Sequence, residues 1–181
     1  PATFSATADA IILAGAKPVF ADVDPKTGNL DPISVEKKIN KKTKAILVVH
    51  LYGVPAEMST FVKIAKKNKL FLIEDASHAH GSEYMGKKVG SFGSFGCFSL
   101  YPSKSLGSLG NAGIITSNSS RLIKKAEQYA HHGIKDKSRK YIHSLVGMNE
   151  LIDNIQSAFL LHKLKFFPKW VKKRREIVKK Y

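Results

Sequence analysis

The chain has 181 residues, with 30 Lys and Arg against 14 Asp and Glu, a formal net charge of +16 and 43% hydrophobic residues. That hydrophobic fraction supports one full core and excludes an intrinsically disordered chain. No apolar run nears the roughly 20 residues needed to span a bilayer, and the single Cys97 excludes an internal disulfide and suits a reducing, cytoplasmic setting.

The opening stretch, PATFSATADAIILAG, lacks an initiator methionine and enters a helical pattern at once, while the closing EIVKKY stops in mid-pattern. The expectation is a piece of a longer protein, incomplete at both ends. PVFADVD (Pro18–Asp24) is predicted as a strand and KAILVVH (Lys44–His50) as a clearer one. PAEMSTFVKIAKKNK carries Met58, Phe61, Val62 and Ala65 at helical spacing, with Pro55 near its start. LFLIEDA (Leu70–Ala76) reads as a buried strand ending in two carboxylates, and GCFSL and AGIIT as two further short strands. SNSSRLIKKAEQYAHHG predicts a helix, capped by Ser or Asn and stopped at Gly133. The polar stretch Gly133–Gly147 has no period and is predicted as a loop. From Asn149 a long helical pattern runs with Ile152, Ile155 and Phe159 as one stripe. Trp170, Arg174, Ile177 and Tyr181 form another after a break at Pro168. The alternation over residues 1–133 predicts an α/β fold whose mainly parallel sheet is flanked by helices.

The positive charge is uneven, with 16 basic and 5 acidic residues from Arg121 onward. A nucleic-acid or anionic partner can be drawn to such a bias. The lysine runs nevertheless fall on the outer faces of amphipathic patterns, and the aromatic–basic interleaving of a single-strand binder is missing. Neither a nucleic-acid nor a membrane partner is expected. Cys97 reads as a small core residue, and His78 with His80 lacks the further ligands a zinc site requires. No metal is expected. His131 and His132 close a helix, where imidazolium suits the dipole.

Two residues carry the chemistry. Asp75 ends a predicted strand, and in doubly wound sheets ligands lie beyond the carboxyl ends of the strands. Lys104 stands alone in CFSLYPSKSLGSLGNAGIIT, with no carboxylate near it in sequence. Such an amine can condense with a cofactor aldehyde. Pyridoxal 5'-phosphate needs that lysine together with a carboxylate at its ring nitrogen. At ~4 Å and an effective dielectric of about 20 the ion pair gains roughly 4 kcal/mol, worth about three pKa units. Ser99 and Ser103 offer hydroxyls to a phosphate.

At these residues EDASHAHGSEYMGKKVGSFGSFGCFSLYPSKSLGSLGNAGIITSN closely resembles the core of the DegT/StrS-type nucleotide-sugar aminotransferases, fold-type-I enzymes that use pyridoxal phosphate. PATFSATADAIILAGAKPVFADVDPKTGNLDP, TKAILVVHLYGVPAEM and GMNELIDNIQSAFL resemble other blocks of that family, in order over nearly the whole chain. The resemblance implies a large-domain cofactor core over residues 1–147 and a helical connection over 148–181 toward a small domain. It makes Lys104 the covalent anchor and proton carrier, and Asp75 the partner of the pyridinium nitrogen. His78 takes a place beside the ring and its phenolic oxygen, Phe4 stacks on the ring, and Ser99 binds phosphate. Asn149 reaches the phosphate of the other subunit, so a homodimer with shared sites is implied.

The implied reaction moves nitrogen from an amino acid, glutamate or glutamine by resemblance, to a keto-sugar nucleotide for surface-polysaccharide or other glycan synthesis. Lys104 distinguishes it from relatives that dehydrate with histidine at that place. Leu151 and Ala130 stand where the family usually has arginine, and Asn111 where aspartate is frequent, which bears on substrate handling and interface packing. A different class remains open: a non-catalytic, truncated relative that keeps the fold and acts as a binding module.

Overall fold

The two alternating runs AILVV and FLIED form neighbouring parallel strands because each puts every second side chain on one face, and that face needs a cover. In the computed structural model, which describes residues 2–136, 138 and 141–181, they are β1 (Ala45–Val49) and β2 (Phe71–Asp75). The register pairs Ile46 with Leu72, Val48 with Glu74 and Val49 with Asp75. β2 pairs in parallel on its other side with β5 (Phe95–Ser99), setting Glu74 against Gly96 and Asp75 against Cys97. β2 is therefore flanked on both sides, by β1 along its whole length and by β5 over its carboxyl-terminal half.

The chain divides into two compact units, residues 1–98 and 99–181. In the first, α1 (Ser5–Leu13) confirms the helical opening, and α2 (Pro32–Lys38) is an element the sequence patterns did not predict. Asp31 caps α2 by accepting from the Ile33 and Ser34 amides, and Pro32 takes a first-turn position where a missing N–H costs nothing. α3 (Met58–Lys67) turns Met58, Phe61, Ile64 and Ala65 onto Ile46, Val48 and Leu72, with Ala21, Val35 and Ala56 completing the core. The short hairpin of β3 (Glu83–Tyr84) and β4 (Lys87–Lys88) turns through Met85 and Gly86, both left-handed, as a two-residue hairpin requires. Residues 18–24, predicted as a strand, make only an isolated bridge from Val23 to Leu30. The run has β-prone residues but no strand beside it to supply a ladder.

The second unit holds β6 (Gly113–Thr116), α4 (Ser120–Ala130) and α5 (Asn154–Val178). Ser119 caps α4 through the Leu122 amide, and Gly133 beyond the helix is left-handed, as predicted. α5 begins at Asn154, after the Asp153 cap and five residues past the predicted onset, and runs unbroken through Pro168. The proline forfeits one hydrogen bond, but Phe167, Trp170 and Val171 on either side of it pack with Leu100, Leu106, Ala112 and Leu160. The predicted stripes are corrected: Ile155 is 75% exposed and Tyr181 fully exposed, while Leu160 and Phe167 are the buried positions. Lys137, Arg139 and Lys140, part of the predicted loop Gly133–Gly147, lie outside the described residues.

Strand parity delivers an acid into the core. Glu74 shares the covered face with Leu72 and is wholly buried. Its Oε1 accepts from the Phe92 and Gly93 amides at 2.8 and 2.7 Å, and its Oε2 from the Gly90 amide at 2.7 Å. His50, also wholly buried, completes the set at 3.2 Å through Nε2. Nδ1 of the same ring accepts from the Ala56 amide at 3.0 Å, so the ring proton sits on Nε2 and is donated to the carboxylate. The cluster ties residues 50–56 and 90–93 to β2.

Burial alone pushes the Glu74 carboxyl up, but the His50 and backbone donors outweigh it and hold the group below the usual carboxylate range. Its stabilising share is therefore complete above about pH 4.3 and is lost as pH falls through the depressed folded value. Urea unfolding across a pH series is expected to show this acid limb in the wild type. Glu74→Gln flattens the limb and, by turning an amide NH2 toward donors that the carboxylate now satisfies, costs about 1–3 kcal/mol at neutral pH.

Candidate active site

Asp75 follows Glu74 and, by the same parity, faces the other side of the sheet. There it is half-buried and held by two donors: Thr7 Oγ1 at 2.8 Å to Oδ2 and the Ser77 amide at 3.1 Å to Oδ1. Its backbone carbonyl accepts from the His50 amide at 3.0 Å, linking it to the buried cluster. Thr7 lies in the first turn of α1, and Phe4 is the N-cap of that helix, 73% exposed, with its carbonyl accepting from the Thr7 amide. One short segment thus supplies both an orienting hydroxyl for Asp75 and an exposed aromatic ring.

His78 is exposed, in the tight turn closed by the Ala79 amide on the Ala76 carbonyl. Its ring stacks on Tyr52, centroids 6.1 Å apart and planes 6° from parallel. Phe4, Asp75 and His78 therefore belong to one neighbourhood of the first unit, built on α1 and the carboxyl end of β2. Tyr52, Thr7 and His50 are its unpredicted members. Thr7 could have been found one helical turn after Phe4; His50 and Tyr52 lie just past the AILVV strand, in the same end position that singled out Asp75.

Lys104, Ser99 and Asn149 lie in the second unit. Lys104 is half-buried in a turn where its amide donates to the Tyr101 carbonyl at 2.8 Å. None of the ion pairs among the described residues involves it. The turn is closed by Gly107, where an added Cβ would lie 2.2 Å from the Pro102 carbonyl oxygen, so only glycine fits. Lys163 of α5 donates to the Gly107 carbonyl and rests over the Phe159 and Trp170 rings. Gln156 Oε1 accepts from the Gly110 amide at 3.0 Å. Ser108 Oγ, buried, donates to the Leu100 carbonyl. The segment carrying Lys104 is therefore fastened to α5 and to its own strand exit. Ser99 Oγ accepts from the Tyr101 amide at 3.3 Å, and exposed Asn149 bridges to His131.

Cys97, read from the sequence as a core residue, is only partly buried and stands beside Asp75 in the ladder. Burial first, then the Asp75 and Glu74 charges, push its thiol up to about 11.

A parallel sheet with an oriented carboxylate at the carboxyl end of its central strand has the ligand-end placement of doubly wound α/β folds. A family model for DegT/DnrJ/EryC1/StrS aminotransferases matches residues 1–181. The chain belongs to that family. A Geobacillus stearothermophilus protein described as a pleiotropic regulatory protein is 44% identical over 96% of this chain and 46% of its own length. The UDP-2-acetamido-2-deoxy-3-oxo-D-glucuronate aminotransferase of Pseudomonas aeruginosa is 40% identical over 99% of this chain and 49% of its own. A crystal structure of a DegT/DnrJ/EryC1/StrS aminotransferase from Brucella abortus superposes with a TM-score of 0.93 at 35% identity, covering 99% of this chain and 49% of that one. The chain spans about half the length of the curated relatives it matches. Family members are pyridoxal-phosphate enzymes. No helix among the described residues is long and apolar enough to cross a membrane.

The residues present fit that cofactor. An acid fixed by two donors, with an exposed phenylalanine ring one turn from its orienting threonine, suits a flat cationic heterocycle.

The high Cys97 value gives a readout of the Asp75 charge. At pH 8 only about one thiol in a thousand is ionised, so alkylation is expected to be slow and to rise tenfold per pH unit. Asp75→Asn is expected to lower the thiol value and speed alkylation at pH 8; an unchanged rate rules out charge coupling between the two.

Proposed function

We propose that the chain carries the cofactor-binding core of a pyridoxal-phosphate-dependent aminotransferase acting on a keto-sugar nucleotide. The observation that carries this reading is the orientation of Asp75 by Thr7 and Ser77 at the carboxyl end of β2. When bound, the cofactor supplies the aldehyde and the electron sink of the reaction. Asp75 would keep the ring nitrogen protonated, Phe4 would cover one ring face and His78 would stand at the ring edge. Lys104 would supply the amine that holds the cofactor and, once freed, a base able to take up and return a proton. Ser99 would donate to the phosphate and Asn149 would do so for a second subunit, so the working form on this reading is a homodimer. Residues 1–147 form the cofactor core, and residues 148–181 lead from it toward a small domain.

The nitrogen comes from an amino acid, glutamate or glutamine, whose keto acid is the other product. The aminated sugar feeds a glycan or surface polysaccharide, and the reaction takes place in the cytoplasm. The relatives' nucleotide-sugar substrates support the substrate class.

The test is spectroscopic. The 181-residue chain incubated with pyridoxal phosphate is expected to gain the near-visible absorbance of a lysine-bound cofactor that survives gel filtration, and Lys104→Ala is expected to lose it. Asp75→Asn should keep the band but slow amino transfer from glutamate by about 10²–10³-fold, given about three pKa units at the ring nitrogen. A yellow Lys104→Ala variant with an unchanged spectrum discards the assignment.

A further inference from the structure

β1 and β2 end in parallel register, with Val49 beside Asp75, and each then enters a tight turn. After β1 the Gly53 amide donates to the His50 carbonyl at 3.1 Å; after β2 the Ala79 amide donates to the Ala76 carbonyl at 2.8 Å. Tyr52 and His78 follow Val49 and Asp75 by the same number of residues, so their stacked rings continue the strand register into the turns. Two hydrogen bonds tie the segments after the strands together, and their backbones approach closely at Gly53. The His50 amide donates to the Asp75 carbonyl, and Ser82 Oγ donates to the Gly53 carbonyl at 2.8 Å. A Cβ on Gly53 would come within 3.1 Å of the His78 carbonyl oxygen.

Tyr52 is held at φ 53°, ψ 20°, a left-handed conformation that a bulky residue rarely adopts, and its side chain is 83% exposed. Burial does not explain a large ring held in that backbone state; the stack on His78 is its one aromatic contact among the described residues.

We propose that Tyr52 is a positioning residue that fixes the plane of the His78 imidazole at the cofactor edge. Unclamped, the exposed imidazole turns freely about its side-chain bonds; stacked on Tyr52, it presents one edge in a fixed direction three residues beyond Asp75. The inference rests on the cofactor reading and adds to it a residue that acts through His78.

The test uses two variants of the whole chain. Tyr52→Phe keeps the ring, and Tyr52→Asn removes it while tolerating the left-handed backbone. In the cofactor-free protein, NMR of the His78 ring protons is expected to show upfield ring-current shifts in wild type and Tyr52→Phe, and their loss in Tyr52→Asn. With pyridoxal phosphate added, Tyr52→Asn is expected to bind about two- to tenfold more weakly, the worth of one aromatic pair, with Tyr52→Phe restoring wild-type affinity. Unmoved His78 signals in Tyr52→Asn, or equal affinity in all three proteins, overturn the proposal. A wild-type chain that takes up no pyridoxal phosphate overturns the cofactor reading instead, and the His78 shifts then still decide the stack.

Discussion

A buried carboxylate must replace its lost water with donors from the chain, and Glu74 does so with three backbone amides and one imidazole. Those donors belong to segments distant in sequence, residues 90–93 and the turn after β1. Each gives up its freedom to satisfy a single charge. What looks like core chemistry therefore fixes the ends of two strands. His50 joins the two levels: its ring serves Glu74 while its own amide serves the Asp75 carbonyl. The oriented acid of the candidate site stands one peptide bond from the anchored one.

The second unit fixes its lysine by different means. Among the described residues of this unit none is both charged and buried, and the turn is instead closed by backbone proximity at Gly107 and by polar ties to α5 from Lys163 and Gln156. Asp153 caps α5 through the Gln156 amide and also accepts from the Gln156 side chain, so the cap that starts the helix also aims the amide that holds the loop. Burial of Leu160 and Phe167 then sets where the helix lies within its unit. Pro168 is tolerated because it sits among packed residues, where tertiary contacts outweigh a local preference.

Much of this was legible in the sequence. The alternations in AILVV and FLIED and the helical spacing of Met58, Phe61 and Ala65 correspond to β1, β2 and α3. Asp75 and Lys104 stood out by end position and isolation, and the family blocks ran in order along the chain. Three features escaped for identifiable reasons. Residues 18–24 have strand composition, but pairing is a tertiary property that no local run contains. Ile155 follows a helical period, yet the period says which residues share a stripe and not whether anything covers it. His50 and Tyr52 are single residues without periodicity, and their significance arises only when two strand ends come side by side. Asp31–Pro32 is a missed opportunity: a cap residue followed by a first-turn proline announces α2 without any tertiary information.

Glu74 and Asp75 are adjacent carboxylates that differ by one methylene and occupy opposite sides of a pleated ribbon. An indel of one residue between Phe71 and Glu74 would therefore exchange their surroundings rather than merely shorten or lengthen a strand. The acid prepared for amide donors would be turned to the ligand side, and the one prepared for a ligand would be driven among hydrocarbons. The spacing of this stretch is thus a geometric requirement in its own right, separate from the identity of the two acids.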